Sequence, residues 1–236
     1  FPTYTLTNIS TSLNFVGGAH HELGHGLGLP HNCAKESEKP ALGTALMGAG
    51  NISYGITPTF LTKADCAILN NNQIFNGAGI SYYGTTQTTI NKIYSSYIAA
   101  GNFIKVSGKL LATGSPVTDV LFYNDANFKS PNGTYNGFGV NHDYESVAWA
   151  TKIIGSDSFY VEMPVSDFFF FFSVQYQLKM RMVHQNGVVS SADFYYAFVN
   201  NIPVVDFGFK TPISRTGWTV TASSEDPNNT FGVTGF

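Results

Sequence analysis

The sequence predicts an α+β multidomain chain: a helical, histidine-bearing first part followed by an all-β, immunoglobulin-like sandwich. Two patterns carry this. Apolar residues recur at helical spacing over roughly the first hundred positions, and short apolar runs punctuated by Gly, Pro, Asn and Asp fill the next hundred. Both cysteines and four of the six histidines lie in the first part. The shift falls near residue 103, giving expected units 1–102 and 103–208 with a tail, 209–236. Hydrophobic residues make up 43% and charged residues only 11% of the 236, against about 25% charged in an average soluble domain. The surface is therefore polar but sparsely charged. With 12 basic and 15 acidic residues there is no basic field for a phosphate backbone or anionic lipid, so nucleic acid is excluded as an expected partner. The densest apolar run, Phe168 to Phe172, is far short of the roughly 18 residues that cross a bilayer, so no membrane span is expected. That run reads instead as a fully buried central strand.

A helix is expected over about 12–26. A second, about 62–76, keeps Leu61, Ala64, Ile68 and Phe75 on one face, and Thr62 followed by Asp65 is a start signal. A third stripe of helical spacing, Ile90, Ile93, Tyr94, Tyr97 and Ile98, runs into Gly101 as a C-terminal cap. Strands are then expected at about 103–112, 117–124, 146–154, 158–164, 168–183, 188–199 and 203–208. Turn sequences such as Gly114-Ser115-Pro116 and Gln185-Asn186-Gly187 separate them, and such a run of strands predicts the sandwich.

The chemistry concentrates in His21-Glu22-Leu23-Gly24-His25-Gly26-Leu27-Gly28-Leu29-Pro30-His31. His21 and His25 are one helical turn apart on one face, so both imidazoles can reach one metal ion. Glu22 adjoins the first of them and can accept the proton of a metal-activated water. Gly28, free to take positive φ, lets the chain leave the helix sharply and bring His31 round as a third ligand. Three neutral imidazoles leave a fourth zinc position open, the pattern of a catalytic site. Three His, one Glu and one Gly fall in this order by chance about once in 10⁵.

The segment resembles the extended zinc signature HExxHxxGxxH of the metzincin clan of metalloproteases, and all five specified residues match. The resemblance implies one Zn²⁺ per chain on His21, His25 and His31, Glu22 as general base and acid, and a tight turn with a methionine beneath the metal. Met47, in Ala45-Leu46-Met47-Gly48, is the matching methionine. Residues 51–57 resemble the stretch that walls the pocket for the side chain after the scissile bond; Tyr54 within it is a candidate for lining that pocket or stabilising a transition state. Such enzymes carry a substantial subdomain before the zinc helix, whereas only 20 residues precede His21. The first part thus reads as the helical C-terminal half of a metzincin-like domain. Asn32 stands where the best-known branches carry an acidic residue or Ser, so no subfamily is assigned.

Cys33 and Cys66 permit at most one internal disulfide, whose formation the sequence leaves open. Asp119, Asp125, Asp143 and Glu145 lie in or near expected turns; calcium there is possible, but no ordered calcium-loop spacing supports it. His142 and His184 are isolated and are not carried into the site. Four Asn-x-Ser/Thr sequons, beginning at Asn8, Asn51, Asn132 and Asn228, match the number expected by chance. Residues 212–225 resemble the opening strand of discoidin-type domains, which implies a following carbohydrate-binding module and a glycan partner. Together these features predict a secreted or cell-surface, extracellular zinc endopeptidase acting on protein or peptide. The alternative is an inactive adhesion module with a zinc-stabilised core. Hydrolysis of a non-peptide amide, such as an acetylated sugar, is a weaker third reading.

Overall fold

The computed structural model describes residues 9–77, 79–127, 143–168 and 175–208. The tail with the discoidin-like stretch, His142 and residues 169–172 of the Phe run lie outside them. The first part carries α1 (Ile9–Gly26), α2 (Lys39–Leu42), β1 (Thr44–Ala45), α3 (Asn51–Ser53), β2 (Thr59–Phe60) and α4 (Lys63–Asn70). β1 and β2 form a short parallel pair. α4 starts at a reciprocal cap: Asp65 N–H donates to Thr62 Oγ1 at 3.3 Å, and Thr62 N–H donates to Asp65 Oδ2 at 2.9 Å. It stops six residues short of the expected end, because Asn side chains take over main-chain bonds there. Asn71 Nδ2 donates to Ala67 O, and Asn72 Oδ1 accepts from Ile74 N–H.

The expected helical half followed by an immunoglobulin-like sandwich is not what forms. The chain is mostly β, and the stripe at 90–98 is not a helix but part of β3 (Gln87–Ile98). β3 pairs antiparallel with β4 (Phe103–Thr113) through a turn in which Asn102 has φ 49°. The misreading has a physical cause. The register shifts between Ile90 and Lys92, leaving Asn91 as an extra residue in the strand, and such a bulge resets which residues face inward. Ile90 and Ile93, three apart, therefore both pack on the same core, and a strand acquires helical spacing.

The remaining strands are β5 (Val117–Asn127), β6 (Val147–Lys152), β7 (Ser158–Pro164), β8 (Gln175–His184), β9 (Val189–Val199) and β10 (Ile202–Val204). They form a five-stranded sheet, β10-β9-β8-β5-β6, and a three-stranded sheet, β3-β4-β7. The larger core lies between the two sheets, with Ile104, Val106 and Phe159 from one and Phe122, Trp149, Leu178 and Met180 from the other. Phe168, at the start of the Phe run, is buried against Trp149, Tyr176 and Phe198. β5 is buried on both faces. Val120 and Phe122 enter the larger core, while Leu121 and Tyr123 join Leu29, Met47, Ala64 and Ile68 in a second one. The helical layer carrying the histidines thus rests on the outer face of the five-stranded sheet.

Candidate metal centre

α1 delivers the first two histidines and then ends in a tight cap. Gly28 has φ 86°; its N–H donates to His25 O at 2.9 Å, and Leu29 N–H reaches back to Gly24 O at 3.0 Å. This double bond pattern with a left-handed glycine turns the chain out of the helix at once, so His31 swings back toward the helix face. Beneath lies Met47, fully buried; a Cβ on Gly24 would stand 2.5 Å from its sulfur. Only a glycine lets α1 sit this low on the Leu46–Gly50 turn.

Each imidazole is oriented through Nδ1. His21 Nδ1 lies 2.8 Å from Leu46 O, His25 Nδ1 2.9 Å from Leu29 O, and His31 Nδ1 2.9 Å from Asp143 Oδ1. Carbonyl and carboxylate oxygens only accept, so all three Nδ1 atoms carry the proton and all three Nε2 atoms present lone pairs. These converge: His25 Nε2 is 3.1 Å from His21 Nε2 and 3.0 Å from His31 Nε2. Three lone pairs at that separation repel unless a cation lies among them. Tetrahedral Zn–N bonds of about 2.0–2.1 Å would set nitrogens about 3.3 Å apart, close to what is seen. Burial lowers the His31 pKa, opposed by Asp143, which favours the neutral ring a metal takes. The trio can hold a metal ion, and among the described residues it is the group of His, Cys, Asp and Glu so disposed.

Glu22 follows His21 on α1 and is exposed. Tyr54 packs its ring on His20, the neighbour of His21, with centroids 5.0 Å apart. The ring on the cluster is Tyr144, 3.7 Å from His31 at 27° and 5.7 Å from His21 at 3°. It is the residue that sequence reading missed, since nothing near it in the chain marks it. A cavity of about 710 Å³ opens beside the cluster, bounded by Tyr144, Glu145, Asn51, Ile52, Thr57 and Pro58. It includes part of the 51–57 stretch but not Tyr54 itself.

The other candidates part company. Cys33 and Cys66 are free: Cys33 Sγ donates to Glu145 O at 3.1 Å and Cys66 turns toward Leu61 O. They border different cavities, and burial pushes the Cys33 thiol up to about 12. Asp119 and Asp125 stand within β5, not in turns, and pair with Lys152 and Lys179, which leaves calcium without support there. His184 is buried, with Ser115 O at 2.8 Å from Nδ1 and Thr88 and Ser190 hydroxyls at Nε2. Asn32, fully buried, donates to Asp65 Oδ1 at 2.7 Å and ties the residue after His31 to α4. Burial raises the Asp65 pKa, while the Thr62 and Asn32 bonds hold it down. No described helix is long and apolar enough to cross a membrane.

No protein-family model matches the sequence, nor does any curated relative. Solved structures do match. Wild-type OgpA from Akkermansia muciniphila superposes with a TM-score of 0.68 at 28% identity, over 79% of this chain and 50% of that one. Catalytically inactive OgpA in complex with an O-glycopeptide substrate, glycodrosocin, gives 0.67 at 27% identity, over 78% and 49%. A second crystal form of the wild type gives 0.64 at 26%, over 79% and 49%. The chain spans about half the length of these structures and shares their fold over that half.

Proposed function

We propose that the chain carries the metal centre of a zinc-dependent endopeptidase, with His21, His25 and His31 as ligands and Glu22 as general base. The observation that carries this reading is the convergence of three Nε2 lone pairs, each fixed by an acceptor at Nδ1. When bound there, zinc supplies a Lewis acid that polarises the scissile carbonyl and lowers the pKa of water. The Glu22 carboxylate takes the proton of the attacking water and returns it to the leaving amine. Tyr144 and the 710 Å³ cavity take up the substrate beside the scissile bond. The O-glycopeptide bound by OgpA points to glycosylated peptides as the substrate class, and a secreted or cell-surface location is the one that fits such substrates.

The test is zinc content by elemental mass spectrometry together with hydrolysis of a peptide and O-glycopeptide library, with and without chelator. One zinc per chain and chelator-sensitive cleavage are expected. Glu22→Ala should keep zinc and lose about 10²–10⁴-fold in rate, whereas His25→Ala should lose the metal. Undiminished cleavage in Glu22→Ala overturns the mechanism. One zinc with no cleavage of any substrate would favour the adhesion module with a zinc-stabilised core.

A further inference from the structure

Two of the three imidazoles are oriented by main-chain carbonyls close to them in the helical layer, Leu46 O and Leu29 O. The third is oriented by a side chain 112 positions further on. Asp143, Tyr144 and Glu145 form a single 3-10 turn immediately before β6, and it lies on the metal centre at several points. Asp143 Oδ1 accepts from His31 Nδ1 at 2.9 Å, and the Tyr144 ring stacks on His31 and lies parallel to His21.

The turn is itself held. Ser146 N–H donates to Asp143 O at 3.0 Å, closing the turn, and Cys33 N–H, two residues after His31, donates to Ser146 O at 2.7 Å. Cys33 Sγ donates to Glu145 O at 3.1 Å, and a Cβ on Gly48 would come within 3.3 Å of Tyr144 O. Behind it, Val147 and Trp149 are rooted in the larger core. Among the described residues, this hydrogen-bonded turn connects the five-stranded sheet to His31.

We propose that Asp143 is a positioning residue of the metal centre, with Tyr144 as the plate that fixes the ring planes, so that the β-sheet layer is a working part of the site. The inference rests on the metal-binding reading given above. The Asp143 carboxylate holds the proton on Nδ1, keeps Nε2 free and aimed at its two partners, and makes the ring a stronger donor. Tyr144 blocks rotation of the His31 plane from the cavity side.

The experiment is the zinc dissociation constant of the full chain, measured by competition with a chromophoric chelator and paired with the melting temperature of the metal-free protein. Asp143→Ala should weaken zinc about 10–100-fold while the metal-free melting temperature stays near wild type. Asp143→Asn, which keeps an acceptor oxygen but not the charge, should recover part of that loss. Tyr144→Phe should bind as wild type, and Tyr144→Ala should bind about 2–10-fold more weakly. The visible spectrum of the cobalt-loaded protein should change in Asp143→Ala and not in Tyr144→Phe. Wild-type affinity in Asp143→Ala overturns the inference and leaves the metal reading standing. If Asp143→Ala fails to fold, the isosteric Asp143→Asn decides: unchanged affinity overturns the inference, and weakened affinity with an unchanged metal-free melting temperature supports it. Absence of zinc from the wild-type protein overturns both.

Discussion

Met47 and Phe122 are both fully buried, and they hold the molecule together in different ways. Phe122 stands on β5 in the larger core, where the two sheets close on one another over apolar side chains. Its contribution is area removed from water, and neighbours can relax around it. Met47 lies under α1 with its sulfur against bare glycine backbone, one residue from the carbonyl that orients His21. The helical layer is fixed at a few fitted points: glycine approaches at Gly17 and Gly24, the cap at Gly28, and the Thr62, Asp65 and Asn32 bonds. The two sheets thus enclose the larger core, while the helical layer, over a smaller core of its own, carries the histidines and two of the three groups that orient them. The third comes from the Asp143–Glu145 turn.

The largest effect that tests this division is Phe122→Ala. It should cost about 3–5 kcal/mol, read by chemical denaturation of the metal-free protein, with zinc affinity unchanged for the molecules that stay folded. A parallel loss of affinity would break the comparison, since the sheet would then be tuning the imidazoles throughout. Met47→Ala sharpens it from the other side. Loss of the buried side chain should cost about 2–4 kcal/mol, and here zinc affinity should fall as well, because the Leu46–Gly50 turn that presents Leu46 O to His21 loses its support.

The same division explains what could be read from the sequence. His21, His25, Glu22, Gly28 and Met47 fall within twenty-seven residues, and local helix geometry alone brings the imidazoles to one face. Asp143 stands 112 residues from His31 in sequence, on a turn whose place is set by β5 and β6. No local pattern distinguishes its carboxylate from those of Asp119 and Asp125. Tyr144 was equally silent, and Tyr54, which the motif's neighbourhood favoured, packs on His20. The strands from β4 onward showed themselves as apolar runs between turn residues, but which strands share a sheet did not. β3 was misread because periodicity counts residues, and the extra residue at Asn91 shifts the count.

The smallest predicted effects come from one substitution made twice in α1. A methyl group at Gly24 meets the Met47 sulfur at 2.5 Å and its terminal carbon at 3.1 Å, whereas one at Gly18 meets nothing within 4 Å. Both positions lie inside the helix, so both gain about 0.5–1 kcal/mol of helix propensity from Ala. At Gly24 the displaced methionine side chain should outweigh that gain, for a net loss of about 1–2 kcal/mol. At Gly18 the gain should stand alone. Denaturation of the two metal-free variants should therefore show shifts of opposite sign. If both are stabilised, Met47 has room to yield, and the helical layer is not held by close fit at Gly24. If both are destabilised, α1 needs its glycines for a reason other than contact with the methionine turn.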